Sequence, residues 1–268
     1  MREAPHVTGL DWLTARPIAH RGLHDAGHGV IENTSSAATA ALQAGYAIEV
    51  DLQRSADGEA MVHHDQTLDR LTEAAGEVRD FTAAALKRVA FKSTPDRMMT
   101  LGELVDLVGG RTTLVLELKS RFDGDIGLAL RTAAVLRGYA GPVAAMSFDP
   151  ELVAALVPRA PGLARGLVAR RAEKAAGAAA GRSGAAQKRR TAVILQAARA
   201  RPHFVAYRLQ DLATAPPLIA RHLFGLPLLA WTARSERERT GALRHADQVI
   251  FEGFRPPMAS ARTNVKAE

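Results

Sequence analysis

Gly45-Tyr-Ala-Ile-Glu-Val-Asp-Leu52 is the stretch that decides how the rest of the chain is read. Its run of apolar side chains is of strand type, and successive strand side chains point to opposite faces. Glu49 and Asp51, two apart, therefore project from one face of the same strand. Two carboxylates so placed can grip one hard cation. The stretch Thr113-Leu-Val-Leu-Glu-Leu-Lys119 repeats the device, with the Glu117 carboxylate and the Lys119 ammonium sharing a face.

Short apolar runs of this kind recur at 17–20, 47–53, 60–63, 113–119, 143–147, 164–168, 204–207, 228–232 and 248–251, separated by amphipathic stretches. That alternation is expected of βα units closing into a parallel barrel, an α/β fold of the TIM-type (β/α)8 class. The surplus strand is expected at 60–63, as a hairpin continuation after the Asp57-Gly58 turn, inside a small insertion spanning about 54–112. A helix is predicted over 35–44, after Asn33-Thr34 as a capping signal and before Gly45 as a stop. Two more are predicted over 81–87 and 101–108, the latter opened by Thr100 with Glu103 at capping-box spacing. In parallel barrels the working residues gather where strands run into their following loops. His20, Glu49, Asp51, Glu117 and Lys119 all meet that condition.

The chain has 268 residues and is 47% hydrophobic, enough for one large core, and 1–268 is read as a single barrel domain. Without cysteine, thiolate chemistry and cysteine-bound zinc are excluded, so a metal would sit among oxygen or imidazole ligands. The N-terminus lacks a continuous apolar h-region, and no run approaches the roughly 20 apolar residues of a spanning helix. A soluble cytoplasmic protein is the expectation. The formal charge of +7 comes from one segment. Between Arg159 and Arg201, eleven Lys and Arg face the single acid Glu173, a local net of +10 that leaves the remainder near −3. The Ala/Gly-rich part of that segment, about 170–190, has no aromatic on which a base could stack, which argues against nucleic acid. It is expected to form a solvated helix pair or mobile loop, with weak contact to an anionic membrane surface as the other reading.

The motifs stand in order: His20-Arg21-Gly22, Glu32-Asn33-Thr34, Glu49-Val50-Asp51, Ser55-Ala56-Asp57-Gly58, His64-Asp65-Gln66-Thr67-Leu68-Asp69-Arg70 and Glu117-Leu118-Lys119. Over residues 18–124 this series resembles the glycerophosphodiester phosphodiesterase family. Beyond it the likeness thins to Ser147-Phe148-Asp149 and Ala230-Trp231-Thr232, and where the family has a Thr-Asp pair this chain reads Phe251-Glu252.

Glu49, Asp51 and Glu117 would supply oxygen ligands to one divalent cation, Mg2+ or Ca2+. His20 and His64 are the candidate general acid and base, since imidazole titrates near neutrality. His63 competes with His64, but the trailing Asp65-x-x-Leu68-x-Arg70 aligns the motif to His64. His24 and His28, in a Gly-rich loop, are expected to be solvated. Arg21 and Lys119 suit the nonbridging phosphate oxygens. Glu32-Asn33 is expected to orient the His20 loop and cap the next helix. The resemblance further implies that Trp231 lines the glycerol end of a small-molecule glycerophosphodiester site. It implies attack on phosphorus by the neighbouring glycerol hydroxyl, then opening of a cyclic phosphate to sn-glycerol 3-phosphate and an alcohol. Two other readings stay open: a phosphoinositide- or sphingolipid-cleaving phosphodiesterase, and a barrel that binds phosphate without catalysis.

Overall fold

A computed structural model describes residues 9–171 and 198–258. Its strands are β1 (Ile18–Ala19), β2 (Ala47–Arg54), β3 (Ala60–Val62), β4 (Leu114–Leu118), β5 (Val143–Ser147), β6 (Ala164–Ala169), β7 (Phe204–Arg208), β8 (Leu228–Ala233) and β9 (Gln248–Phe251). All but β3 pair in parallel in the order β1-β9-β8-β7-β6-β5-β4-β2, and β1 also pairs with β2, which closes the eight-stranded barrel. β3 lies antiparallel to β2 beyond the ring, the hairpin continuation predicted from the surplus run.

Alternation along these strands sorts the core into two layers. Inward-facing Ile18, Ala47, Val115, Ala144, Phe204, Ala206, Leu229 and Ile250 fill the barrel. Outward-facing Ile48, Val50, Leu52, Leu114 and Leu116 pack with Leu101, Leu104, Leu152 and Leu156 of the helices. Phe204 is fully buried, and a Cβ on Gly166 of the neighbouring strand would lie 2.4 Å from its ring, so only glycine leaves room for it. Two and four residues past Ala47, and two past Val115, the inward positions carry Glu49, Asp51 and Glu117. The pattern that makes the strands also lifts the acids to the mouth of the barrel.

The helices are α1 (Asp11–Thr14), α2 (Ser35–Gln43), α3 (Ala83–Leu86), α4 (Leu101–Val108), α5 (Gly127–Val135), α6 (Pro150–Arg159), α7 (Ala215–His222) and α8 (Glu236–Ala242). α4 has both halves of the predicted Thr100/Glu103 capping box and stops at left-handed Gly109. α3 is shorter than the predicted 81–87 because Thr82 is its cap, accepting from the Ala85 amide. The insertion between β2 and β4 has a small core of its own around Met61, Leu68, Val78, Leu86 and Met98. That core holds the His64–Arg70 loop over the barrel mouth.

Most of the basic 170–190 segment, from residue 172 on, lies outside the described residues, and with it the helix-pair, loop and anionic-surface expectations. Among the described residues no helix is long and apolar enough to cross a membrane.

Candidate active site

The His20-Arg21-Gly22 motif is a turn that locks onto the acid strand. After β1 the chain swings through left-handed Arg21 (φ 57°) and Gly22 (φ 79°). A Cβ on Gly22 would lie 2.8 Å from the backbone of Ala37, so glycine is required by space as well as by φ. The turn sends the Arg21 amide to Glu49 Oε2 at 2.9 Å and the Gly22 amide to the Glu49 carbonyl at 3.1 Å. His20 is thereby aimed at the acids.

Glu49, Asp51 and Glu117 converge, each offering an oxygen within 4.8 Å of the others'. Asp51 and Glu117 are direct register partners on β2 and β4. Glu49 and Asp51 are buried, and Glu49 Oε1 has no hydrogen-bond partner. Lys119 Nζ lies 2.7 Å from Asp51 Oδ1 and 2.5 Å from Glu117 Oε1. Burial, reinforced by Asp51, pushes Glu49 up to about 8. Burial pushes Asp51 the same way, but Lys119, His64 and Arg21 outweigh it and hold it well below the usual carboxylate range. Hard oxygen donors, mutual repulsion and an orphaned buried oxygen together fit a divalent cation of the Mg2+ or Ca2+ type.

Asn33 serves Asp51. Its Nδ2 donates to Asp51 Oδ2 at 2.9 Å while its Oδ1 accepts the Asp51 amide at 3.1 Å. The cap of α2 is Thr34 alone, so the expected capping role of Glu32-Asn33 is corrected.

Each candidate histidine is tethered through Nδ1. His20 Nδ1 meets Glu252 Oε2 at 2.5 Å, and its Nε2 faces Glu49 at 3.9 Å. Arg234 holds the other Glu252 oxygen at 2.7 Å. Burial lowers the His20 proton affinity, yet the Glu252 bond and the Glu49 charge raise it further, for a net upward shift. The same bond holds Glu252 at about 2. His64 Nδ1 meets Asp65 Oδ1 at 2.7 Å, and burial, only partly opposed by Asp51, shifts it downward.

From Asp65 a chain of alternating charges runs back to the acids. Arg70 bridges Asp65 (2.5 Å) and Glu32 (2.6 Å), Glu32 holds Arg21 (2.6 Å), and Arg21 Nε lies 3.3 Å from Asp51. Arg21, read from sequence as a phosphate ligand, is thus already bracketed by two carboxylates.

His63 is buried and turned away, with Nε2 on the Thr67 carbonyl at 3.2 Å, as alternation from His64 requires. His28 is exposed and pairs with Asp25. His24 is half-buried, not solvated, and with Gly253, Phe254 and Arg255 lines a depression of about 400 Å³. Trp231 is half-buried on β8, faces inward, and sets its ring edge-on to Phe148 at 5.6 Å.

Glu252 is the residue sequence reasoning missed, having been read only as a departure from a Thr-Asp pair. The signal was present: Ile250 faces inward, so Glu252, two residues on, falls on the face of the site.

Known proteins resemble this chain in part of its sequence and in its fold. A glycerophosphodiester phosphodiesterase of Caldanaerobacter subterraneus is 39% identical over 111 residues, 38% of this chain and 44% of that protein. One of Bacillus subtilis is 33% identical over 117 residues, 38% of this chain and 39% of that protein. The chain thus matches less than half the length of these curated relatives. Among solved structures, an Oleispira antarctica phosphodiesterase in complex with the product sn-glycerol-3-phosphate superposes with TM-score 0.69 at 21% identity, over 88% of this chain and 91% of that one. A glycerophosphodiester phosphodiesterase of Parabacteroides distasonis gives 0.70 at 16% identity, over 88% and 92%. Likeness at these identities is likeness of fold. The model of the glycerophosphoryl diester phosphodiesterase family, by contrast, matches residues 20–251, from the first candidate histidine to the residue before its carboxylate partner, and the chain belongs to that family.

Proposed function

We propose that this chain, working as one barrel domain, hydrolyses glycerophosphodiesters to sn-glycerol 3-phosphate and an alcohol with one divalent cation, Mg2+ or Ca2+. The carrying observation is the convergence of Glu49, Asp51 and Glu117 beside two histidines, each anchored through Nδ1 to a carboxylate. A carboxylate accepts the Nδ1–H, so Nε2 is the nitrogen left to each imidazole for taking or giving a proton. Glu252 and Asp65 are positioning residues in this scheme.

The two imidazoles divide the work. One takes the proton of the glycerol hydroxyl next to the phosphodiester as its oxygen bonds to phosphorus. The other protonates the departing alcohol as the opposite P–O bond breaks. Water then opens the cyclic phosphate with the proton roles exchanged. The cation, held by Glu49, Asp51 and Glu117, would draw charge from the phosphoryl oxygens. Lys119 and Arg21 supply positive charge at the nonbridging oxygens, Arg21 in an orientation fixed by Glu32 and Asp51. Trp231 offers the glycerol an apolar wall. The carboxylate at Glu252 favours catalysis over a binding-only barrel, because it keeps His20 oriented although the usual Thr-Asp pair is missing.

The test is release of sn-glycerol 3-phosphate from glycerophosphocholine and glycerophosphoethanolamine by chelator-stripped protein, with Mg2+, Ca2+ or Mn2+ returned singly. Restored turnover supports the proposal. Silence under every metal would move the reading to lipid phosphodiesters or to binding alone.

A further inference from the structure

A cavity of about 230 Å³ opens beside Lys119, and neither the metal ligands nor the histidine pair accounts for it. Its walls come from three places: Gln53 and Arg54 at the end of β2, Gln66 and Arg79 of the insertion, and the loop after β4 with Ser120, Arg121 and Asp123. It is continuous with the catalytic centre at two points. Lys119 lines it while contacting Asp51 and Glu117, and the Gln53 amide donates to the His64 carbonyl at 2.9 Å.

Its position assigns it to one part of the substrate. In the closed ring β4 and β8 stand four strands apart, on opposite sides. With the phosphoryl group over the acids and the glycerol against Trp231 of β8, the departing alcohol points toward β4 and this cavity.

The lining chemistry narrows the alcohol. Guanidinium donors and carboxylate acceptors interleave around the walls. Arg121 and Arg79 share Glu77 at 2.8 and 2.7 Å, Arg54 pairs with Asp125 at 2.5 Å, and Asp123 accepts the Asp125 amide at 3.1 Å. The lining carries four cations, Arg54, Arg79, Lys119 and Arg121, against Asp123 and Asp125, and every one of the four is paired with a carboxylate, so the wall is rich in donors and acceptors without a bare cation on it. Such a surface suits vicinal hydroxyls, which donate and accept at once. A quaternary ammonium would be held by aromatic faces, and no aromatic among the described residues lines the cavity.

We propose that this cavity is a leaving-group subsite that selects polyhydroxy alcohols, of the glycerol or inositol kind, over choline. The inference rests on the proposed diesterase reading and adds to it the class of alcohol. The experiment is a kcat/KM series with the metal-loaded protein on glycerophosphoinositol, glycerophosphoglycerol, glycerophosphoethanolamine and glycerophosphocholine. A few hydrogen bonds made only by the polyols predict a preference of about tenfold over choline. Arg121→Ala and exposed Gln66→Ala should each lower that ratio to within about twofold, chiefly through KM of the polyol substrates. Exposed Arg88→Ala, away from the cavity, should leave it where it was. Melting curves keep misfolding of the Arg121 variant apart from loss of selectivity, and Gln66→Ala removes no ion pair. Turnover of choline and polyol diesters at equal rate, or a polyol preference that both variants retain, would overturn the subsite. Absence of turnover on every diester would overturn the diesterase reading, and the subsite with it.

Discussion

The two halves of the barrel are built by the same strand alternation and put to opposite uses. Along β1, β2 and β4 the inward positions near the mouth carry His20, Glu49, Asp51 and Glu117, and charge is buried there at a cost in stability. Along β5 to β8 the inward positions carry Ala144, Met146, Val168, Phe204, Ala206 and Leu229, which fill the barrel. The difference teaches that buried charge and close packing are separated around the ring, so that one arc can hold repelling carboxylates because the other fills the barrel. Glu252, just past β9 where the two arcs meet, is the exception, a polar contribution from outside the acid-bearing strands.

The separation can be attacked where it is sharpest. His20→Ala and His64→Ala should each lower kcat by about 10²–10⁴-fold with the melting temperature nearly unchanged; a matching loss of stability would merge the two arcs. Phe204→Ala should do the reverse, costing about 3–5 kcal/mol in denaturant unfolding while the folded fraction keeps its kcat. Glu252→Gln tests the exception. It keeps the shape but loses the charge that orients His20, and kcat should fall about 10–100-fold with KM little changed, the scale seen when a partner orienting a ligand imidazole is lost.

A smaller effect tests the cost of the buried acids. Glu49 titrates near 8 in the folded chain against 4.5 for an ordinary glutamate. Below the lower value it is protonated in both states and has no effect on stability. Between the two, unfolding releases its proton, so the Glu49 contribution to metal-free stability should fall as pH rises from about 4.5 to 8. Glu49→Gln should flatten that slope in pH-dependent thermal melts of the chelated protein, and saturating Mg2+ or Ca2+ should flatten it for the unaltered chain. A pH slope that Glu49→Gln leaves unchanged would contradict the buried-acid account.

Local rules were readable in the sequence and long-range ones were not. The Glu49/Asp51 pair followed from period-two alternation, the α4 cap from Thr100 and Glu103, and the β3 hairpin from an apolar run behind Asp57-Gly58. Asn33 was assigned to a helix end because the Glu-Asn-Thr spelling suits a cap, whereas its side chain reaches Asp51, 18 residues away. The Arg21–Glu32–Arg70–Asp65 chain joins three motifs that no periodicity connects. Glu252 finds its partner 232 residues upstream, and the cavity beside Lys119 exists only where β2, the insertion and the β4 loop meet.

The two-residue strand β1 carries a further consequence, for the order of assembly during synthesis. It is the seam of the ring, flanked by β2 from early in the chain and by β9 from late in it. A nascent chain must therefore keep one edge of β1 unpaired until β9 has left the ribosome, and His20 waits for Glu252 in the same interval. The anchoring of His20 and the closing of the wall are completed by one event, so a chain stalled before residue 248 would hold its acids without the histidine fixed beside them.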